Sequence, residues 1–192
     1  MKSVFSNLYR RVMTWSRHPR AVWILGGLSF AESSFFPIPP DVMLAPMSLA
    51  QPRRAIWFAT VTTVASVLGG LFGYWIGALA FDAIEPWLSQ SHHWPAFQTA
   101  QTWFERWGFW AVLIAGFSPI PYKVFTIAAG VAGMPLIGFV LASLAGRGGR
   151  FYLVALLMRW GGARMEALLE THVDRLGWAS VALVLLLVIL QA

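Results

Sequence analysis

Between Ala55 and Phe81 no residue carries a charge, and the run exceeds the roughly 20 apolar residues that a helix needs to cross a bilayer. A chain of 192 residues that is 58% hydrophobic and 11% charged, with a mean hydropathy of +0.63, has too little polar surface to hold such a helix inside an aqueous domain. The expectation is one all-α integral membrane domain of a few crossings. No cysteine is present, which removes disulfides, thiolate metal sites and cysteine nucleophiles. The net charge of +6 fits the basic residues that flank membrane helices on the cytoplasmic side. No basic and aromatic module accompanies it, so nucleic acid is not an expected partner.

The other apolar stretches are interrupted. Residues 1–20 carry Lys2, Arg10, Arg11, Arg17 and Arg20, with Val4, Phe5, Leu8, Val12 and Trp15 at helical spacing, and predict an amphipathic helix on an anionic membrane surface. Residues 21–54 are apolar but contain Glu32, Pro37, Pro39, Pro40 and Asp41. Proline removes a backbone donor, and non-helical backbone at membrane depth survives only inside protein or beside a wet cavity, so this unit predicts a helix followed by a re-entrant loop. After the span 55–81, residues 82–106 mix Asp82, Glu85, His92, His93, Glu105 and Arg106 with tryptophans, as an interfacial linker would. A second interrupted unit, 107–136, contains Pro119, Pro121, Lys123, Gly130 and Gly133. A span over 137–160 follows, completing a membrane domain of 21–164, and 165–192 read as a linker and a short C-terminal membrane helix. Gly69, Gly73 and Gly77 form a small-residue stripe for close helix contact, within the protomer or in a homodimer.

The two interrupted units are copies. A shift of 82 positions places Pro37, Ile38 and Pro39 on Pro119, Ile120 and Pro121, and Asp41 on Lys123. One span separates the copies, so they enter from opposite faces, an inverted repeat with two opposed re-entrant hairpins. Lys2, Arg10, Arg11, Arg17, Arg20, Arg53, Arg54, Arg159, Arg164 and Arg175 then fall on one side and Arg106 on the other, which puts the N-terminus in the cytoplasm. Broken helices meeting at the midplane form the binding site in many secondary transporters.

Glu32, Asp41, Lys123, Arg147 and Arg150 sit in otherwise apolar stretches and need one another or a ligand. Arg147 and Arg150 share a helix face among Gly146, Gly148 and Gly149, a surface suited to a phosphate, which guanidinium groups bind bidentately. Glu32 and Asp41 can change protonation and so couple to protons. Alternatively, the acids pair with the basic residues and fix the units together, or Asp41 caps a helix after Pro40. His18, His92, His93 and His172 fall outside the apolar cores, where solvation explains them better than metal binding. Neither a metal nor another cofactor is expected. No enzymatic role is expected either, because Ser118 has no histidine in a span to activate it.

Glu32, the Pro37-Ile38-Pro39-Pro40-Asp41 run, the later Gly116-Phe117-Ser118-Pro119-Ile120-Pro121-Tyr122-Lys123 run, and Gly130, Gly133 and Met134 together resemble the DedA family. The resemblance is to its small YqaA-like branch and, through the shared VTT (SNARE-associated) domain, to eukaryotic phospholipid scramblases. It covers roughly residues 20 to 165. It implies a multi-pass protein of the bacterial inner membrane that translocates phospholipids or undecaprenyl phosphate, tied to proton motive force. The family's essential acids match Glu32 and Asp41, and its arginine region matches Arg147 and Arg150. Lys123 stands where many members carry arginine, keeping the charge without the planar fork.

The expected function is therefore a flippase or scramblase in which Arg147, Arg150 and Lys123 hold the phosphate and Glu32 or Asp41 couples release to protonation. The competing readings are a proton- or cation-coupled carrier of small solutes and a non-transporting membrane scaffold.

Overall fold

The computed structural model describes residues 18, 20–34, 38–90, 94–118 and 121–162. The helices expected within 1–20 and 165–192 lie outside these residues, apart from His18 and Arg20, as do Pro37 and Pro119.

Among the described residues every regular element is helical. Helix α1 is Ala21–Ser34, α2 is Asp41–Ala50, α3 is Ala55–Leu88, α4 is Trp94–Phe117, α5 is Tyr122–Val131 and α6 is Leu136–Gly162, with a 3₁₀ turn at Pro52–Arg54. Pro39 and Pro40 separate α1 from α2, and Pro121, in extended backbone, precedes α5. Both short helices thus start where proline removes a backbone donor. Helix α5 stops at Gly133, whose φ of 65° is left-handed, with Met134 N donating to Ala129 O at 3.0 Å and Gly133 N to Gly130 O at 3.1 Å, a glycine-ended C-cap.

Helical structure runs further than the apolar pattern. The stretch 82–106, expected as a linker, holds the end of α3, which continues through Pro86, and the start of α4, with a turn at Ser89 and Gln90. Hydropathy marks where lipid ends, and a hydrogen-bonded helix need not end there.

Contacts fix the helix directions. Ser29 Oγ donates to Thr62 O at 2.8 Å, Ser33 Oγ lies 2.7 Å from Ser66 Oγ, and Ser34 Oγ donates to Gly69 O at 3.0 Å, so α1 runs parallel to α3. Thr60 Oγ1 lies 2.7 Å from Tyr152 OH, while further along α3 Tyr74 OH donates to Met134 O at 2.7 Å, so α6 runs antiparallel to α3. Leu113 and Phe117 of α4 meet Gly146 and Gly149 in parallel order, and Tyr122 and Ile127 of α5 meet Gly70 and Gly77 of α3 likewise. Helix α4 therefore opposes α5. Helix α2 starts at Asp41 beside Arg150 and leads back to Ala55, opposing α1.

Two cores result. Leu25, Leu44, Met47, Phe58 and Phe151 pack α1 and α2 against the start of α3 and the end of α6. Phe104, Val112, Tyr122, Ala129 and Phe139 pack α4 and α5 against the start of α6, with Leu71 and Tyr74 of α3 alongside. The glycine stripe is used inside the protomer: a Cβ at Gly69 would collide with the Phe30 carbonyl of α1, and one at Gly77 with the Ile127 carbonyl of α5. On the opposite face of α3, Val64, Leu68, Phe72, Trp75 and Leu79 are exposed at helical spacing, as a lipid-facing surface requires. Pro52–Ala83 and Leu136–Gly162 are long and apolar enough to cross a membrane.

Tyr74→Phe leaves the Met134 carbonyl without this donor. The variant is expected to lose about 1 kcal/mol, read as a lower thermal midpoint in nanodiscs.

Candidate functional site

Glu32, Asp41, Arg147 and Arg150, charged residues on apolar helices, converge between the two cores. Gly146 lets α6 lie against the Leu113 carbonyl of α4, and Gly116 of α4 in turn faces the Arg147 backbone. Pressed against α4 on that side, α6 extends the Arg147 side chain to α1 and α3.

Arg147 is 2% exposed. Its Nη2 pairs with Glu32 Oε2 and donates to Ser33 Oγ at 3.3 Å, and its Nε donates to Ser66 Oγ at 2.6 Å. Ser33 Oγ also donates to Glu32 Oε2 at 3.1 Å, so the two serines tie acid and base into one network. The guanidinium carbon lies 4.9 Å from the ring centre of Tyr122 and 4.6 Å from that of Phe151, within cation–π range of both. Tyr122 is itself held by its hydroxyl, 2.5 Å from Ser143 Oγ. Ser66 stands about 16 Å along α3 from Ala55 at 1.5 Å per residue, roughly half the thickness of a bilayer's hydrocarbon core.

Arg150, one turn further on, is built differently. Its Nη2 lies 2.5 Å from Asp41 Oδ2 and its Nη1 donates to the Ser118 carbonyl at 2.7 Å, with side-chain exposures of 21% for Arg150 and 23% for Asp41. Asp41 is not the cap of α2. It is the first helical residue after Pro40, and its carboxylate goes to Arg150. Dipoles favour this placement, since the acid sits at a helix N-terminus and the arginine at the carbonyl end of α4. Asp41 Oδ1 and Ser118 Oγ are buried and have no hydrogen-bond partner among the described residues.

Of the expected site residues, the structure joins Glu32 to Arg147 and Asp41 to Arg150. Both acids come from residues 21–54 and both arginines from α6, so each pair ties the first part of the chain to the last described helix. Lys123 lies half-buried on the first turn of α5, next to Tyr122. Gly130 packs against the Tyr74 carbonyl and Gly133 ends α5. Ser33, Ser66, Tyr122, Phe151 and the Ser118 carbonyl were not anticipated. Ser33 beside Glu32, and Ser66 one turn after Thr62, are polar positions on apolar helices, and that was the available signal. Among the described residues no three His, Cys, Asp or Glu side chains form a metal-holding group.

The family model described as the VTT domain matches residues 38–160, most of the chain and the site apart from Glu32 and Ser33. The chain belongs to the VTT-domain (DedA) family. Like other members, this VTT-domain protein is a membrane protein. It is 47% identical over 180 residues to an uncharacterized protein of Haemophilus influenzae, covering 94% of each chain. It is 28% identical over 118 residues to undecaprenyl phosphate transporter A of Staphylococcus aureus, covering 57% of this chain and 58% of that one. With undecaprenyl phosphate transporter A of Bacillus subtilis the identity is 27% over 147 residues, covering 72% and 70%. No solved structure matches the chain at a significant level.

Proposed function

We propose that this VTT-domain protein translocates phosphate-bearing lipids across the bacterial inner membrane. The observation that carries this reading is the pair of arginine–carboxylate bridges, Glu32 to Arg147 and Asp41 to Arg150, set among apolar helices. A phosphate offers arginine the same bidentate partner as a carboxylate, so a lipid head group can replace an acid in the bridge. Protonation of Asp41 or Glu32 weakens the same bridge and supplies a route to proton coupling. Lys123 adds a third cation on the second unit. The lipid tails stay outside, along apolar faces such as Val64 to Leu79 on α3.

The opposed directions of α1 and α3 against α4 and α6 support an inverted repeat in which α1–α2 and α4–α5 are re-entrant hairpins. Arg20, Arg53, Arg54 and Arg159 gather at the end where α3 starts and α6 finishes, which supports a cytoplasmic N-terminus. The names of the two distant relatives favour a polyprenyl phosphate as the lipid.

The test is head-group translocation in proteoliposomes of purified protein, with polyprenyl phosphate and glycerophospholipid probes side by side. Wild type is expected to move a phosphate lipid. Arg150→Gln is expected to slow it roughly 10- to 100-fold, the value of a charged hydrogen bond of about 1.5–3 kcal/mol. Folded wild type that moves neither probe overturns the reading in favour of a solute carrier or scaffold.

A further inference from the structure

We infer that the two arginines divide the work: Arg150, with Asp41 and Ser118, is the junction that exchanges its protein partners for a ligand's polar head, while Arg147 keeps its partners and acts as a positioning residue. The inference deepens the phosphate-lipid reading and rests on it for the ligand's class.

Burial and the number of partners separate the two. Arg147 spends Nε and Nη2 on Ser66, Ser33 and Glu32 and has the rings of Tyr122 and Phe151 within cation–π range. Releasing it would strip partners from an acid and two serines at membrane depth, where each unsatisfied polar group is costly. Arg150 holds one carboxylate oxygen and one carbonyl, and hydrogen-bonding capacity is left over beside it in Asp41 Oδ1 and Ser118 Oγ. A carboxylate oxygen requires a donor, and a hydroxyl can donate or accept. A head that presents anionic oxygens to Arg150 and the Ser118 hydroxyl and a donor to Asp41 satisfies all three groups at once, and a singly protonated phosphate monoester has these on one phosphorus.

Backbone architecture points to the same place. Asp41 directly follows Pro39 and Pro40, and Ser118 directly follows α4, three residues before Pro121, so Arg150 joins the helix breaks of the two units. Separation there moves helix ends that adjoin the non-helical residues Pro39, Pro40, Ser118 and Pro121. Opening the Arg147 network would instead part α6 from α1 and α3 along helical segments, against the 2.7 Å contact of Thr60 Oγ1 with Tyr152 OH and the packing of Phe151 in the first core.

The chain contains no cysteine, so Ser118→Cys and Ser66→Cys each introduce a single thiol into an otherwise native protein. In proteoliposomes a charged, water-soluble methanethiosulfonate reagent is expected to modify Ser118→Cys at least about tenfold faster than Ser66→Cys, because the first site opens locally and the second does not. Dodecyl phosphate is expected to slow the Ser118→Cys reaction, and adding Arg150→Gln is expected to abolish that protection. Protection by inorganic phosphate at equal concentration would identify a soluble phosphate as sufficient, and protection by dodecyl phosphate alone would identify a lipid. Equal or inverted rates at the two thiols, no reaction at Ser118→Cys, or protection that survives Arg150→Gln would overturn the division. Lipid translocation by wild type is measured separately in the same vesicles. Protection without translocation sinks the transport reading and leaves the division of labour, and translocation with Ser66→Cys as the protected thiol does the reverse.

Discussion

Arg147→Met is expected to lose about 3–5 kcal/mol of stability, the range for removing one partner of a buried ion pair. Methionine nearly matches the arginine stem and keeps contact with Tyr122 and Phe151, so the loss reports the charge and its hydrogen bonds rather than a cavity. Glu32 is left as an uncompensated acid in an apolar surrounding, and Ser33 and Ser66 lose a shared partner. Glu32→Gln added to Arg147→Met removes the stranded charge and is expected to recover part of the loss, because a neutral amide still pairs with the serines. Thermal unfolding in nanodiscs, followed by the fluorescence of the 11 tryptophans, measures both variants. An Arg147→Met midpoint equal to wild type would show that the network does not hold the fold. Arg150→Gln, whose partners are fewer and partly exposed, is expected to stay much closer to wild type.

Gly130→Val is expected to be as damaging by a different route. Gly130 of α5 lies against the Tyr74 carbonyl of α3, and Gly77 of α3 lies against the Ile127 carbonyl of α5, so the helices touch backbone to backbone at two reciprocal points. Lipid tails are as apolar as leucine, so burial gives the helices little reason to associate, and close van der Waals approach at small residues supplies much of the attraction. A side chain at either glycine pushes the helices apart along their contact and disturbs the Tyr74 bond to Met134 as well. Gly77→Ala is expected to lose about 1–3 kcal/mol, the usual range for overpacking, and Gly130→Val more. Monodisperse protein recovered from detergent is the measurement. Gly27→Ala, where a Cβ meets nothing within 4 Å, is the matched control and should behave as wild type. Equal recovery of Gly130→Val and Gly27→Ala would refute the packing account.

Much of this was readable in the amino-acid order alone. The lipid environment, the helical class, the proline breaks and the rarity of the intramembrane charges are local properties: an apolar run needs lipid, proline lacks a donor, and a charge in an apolar stretch needs a partner whatever the fold. The family resemblance, carried by Glu32, the paired proline runs and Lys123, is of the same kind. Which base each acid would meet was not readable, because Asp41 and Glu32 had three basic candidates and chain spacing ranks none of them. Tertiary packing decided it, through the antiparallel pairing of α3 with α6 and the parallel pairing of α1 with α3, which bring Glu32, Ser66 and Arg147 to one level. Packing likewise turned the glycine stripe inward and set Tyr122 and Phe151 beside Arg147. A sequence records which groups must be satisfied, and only the three-dimensional arrangement of the helices settles which neighbour satisfies each.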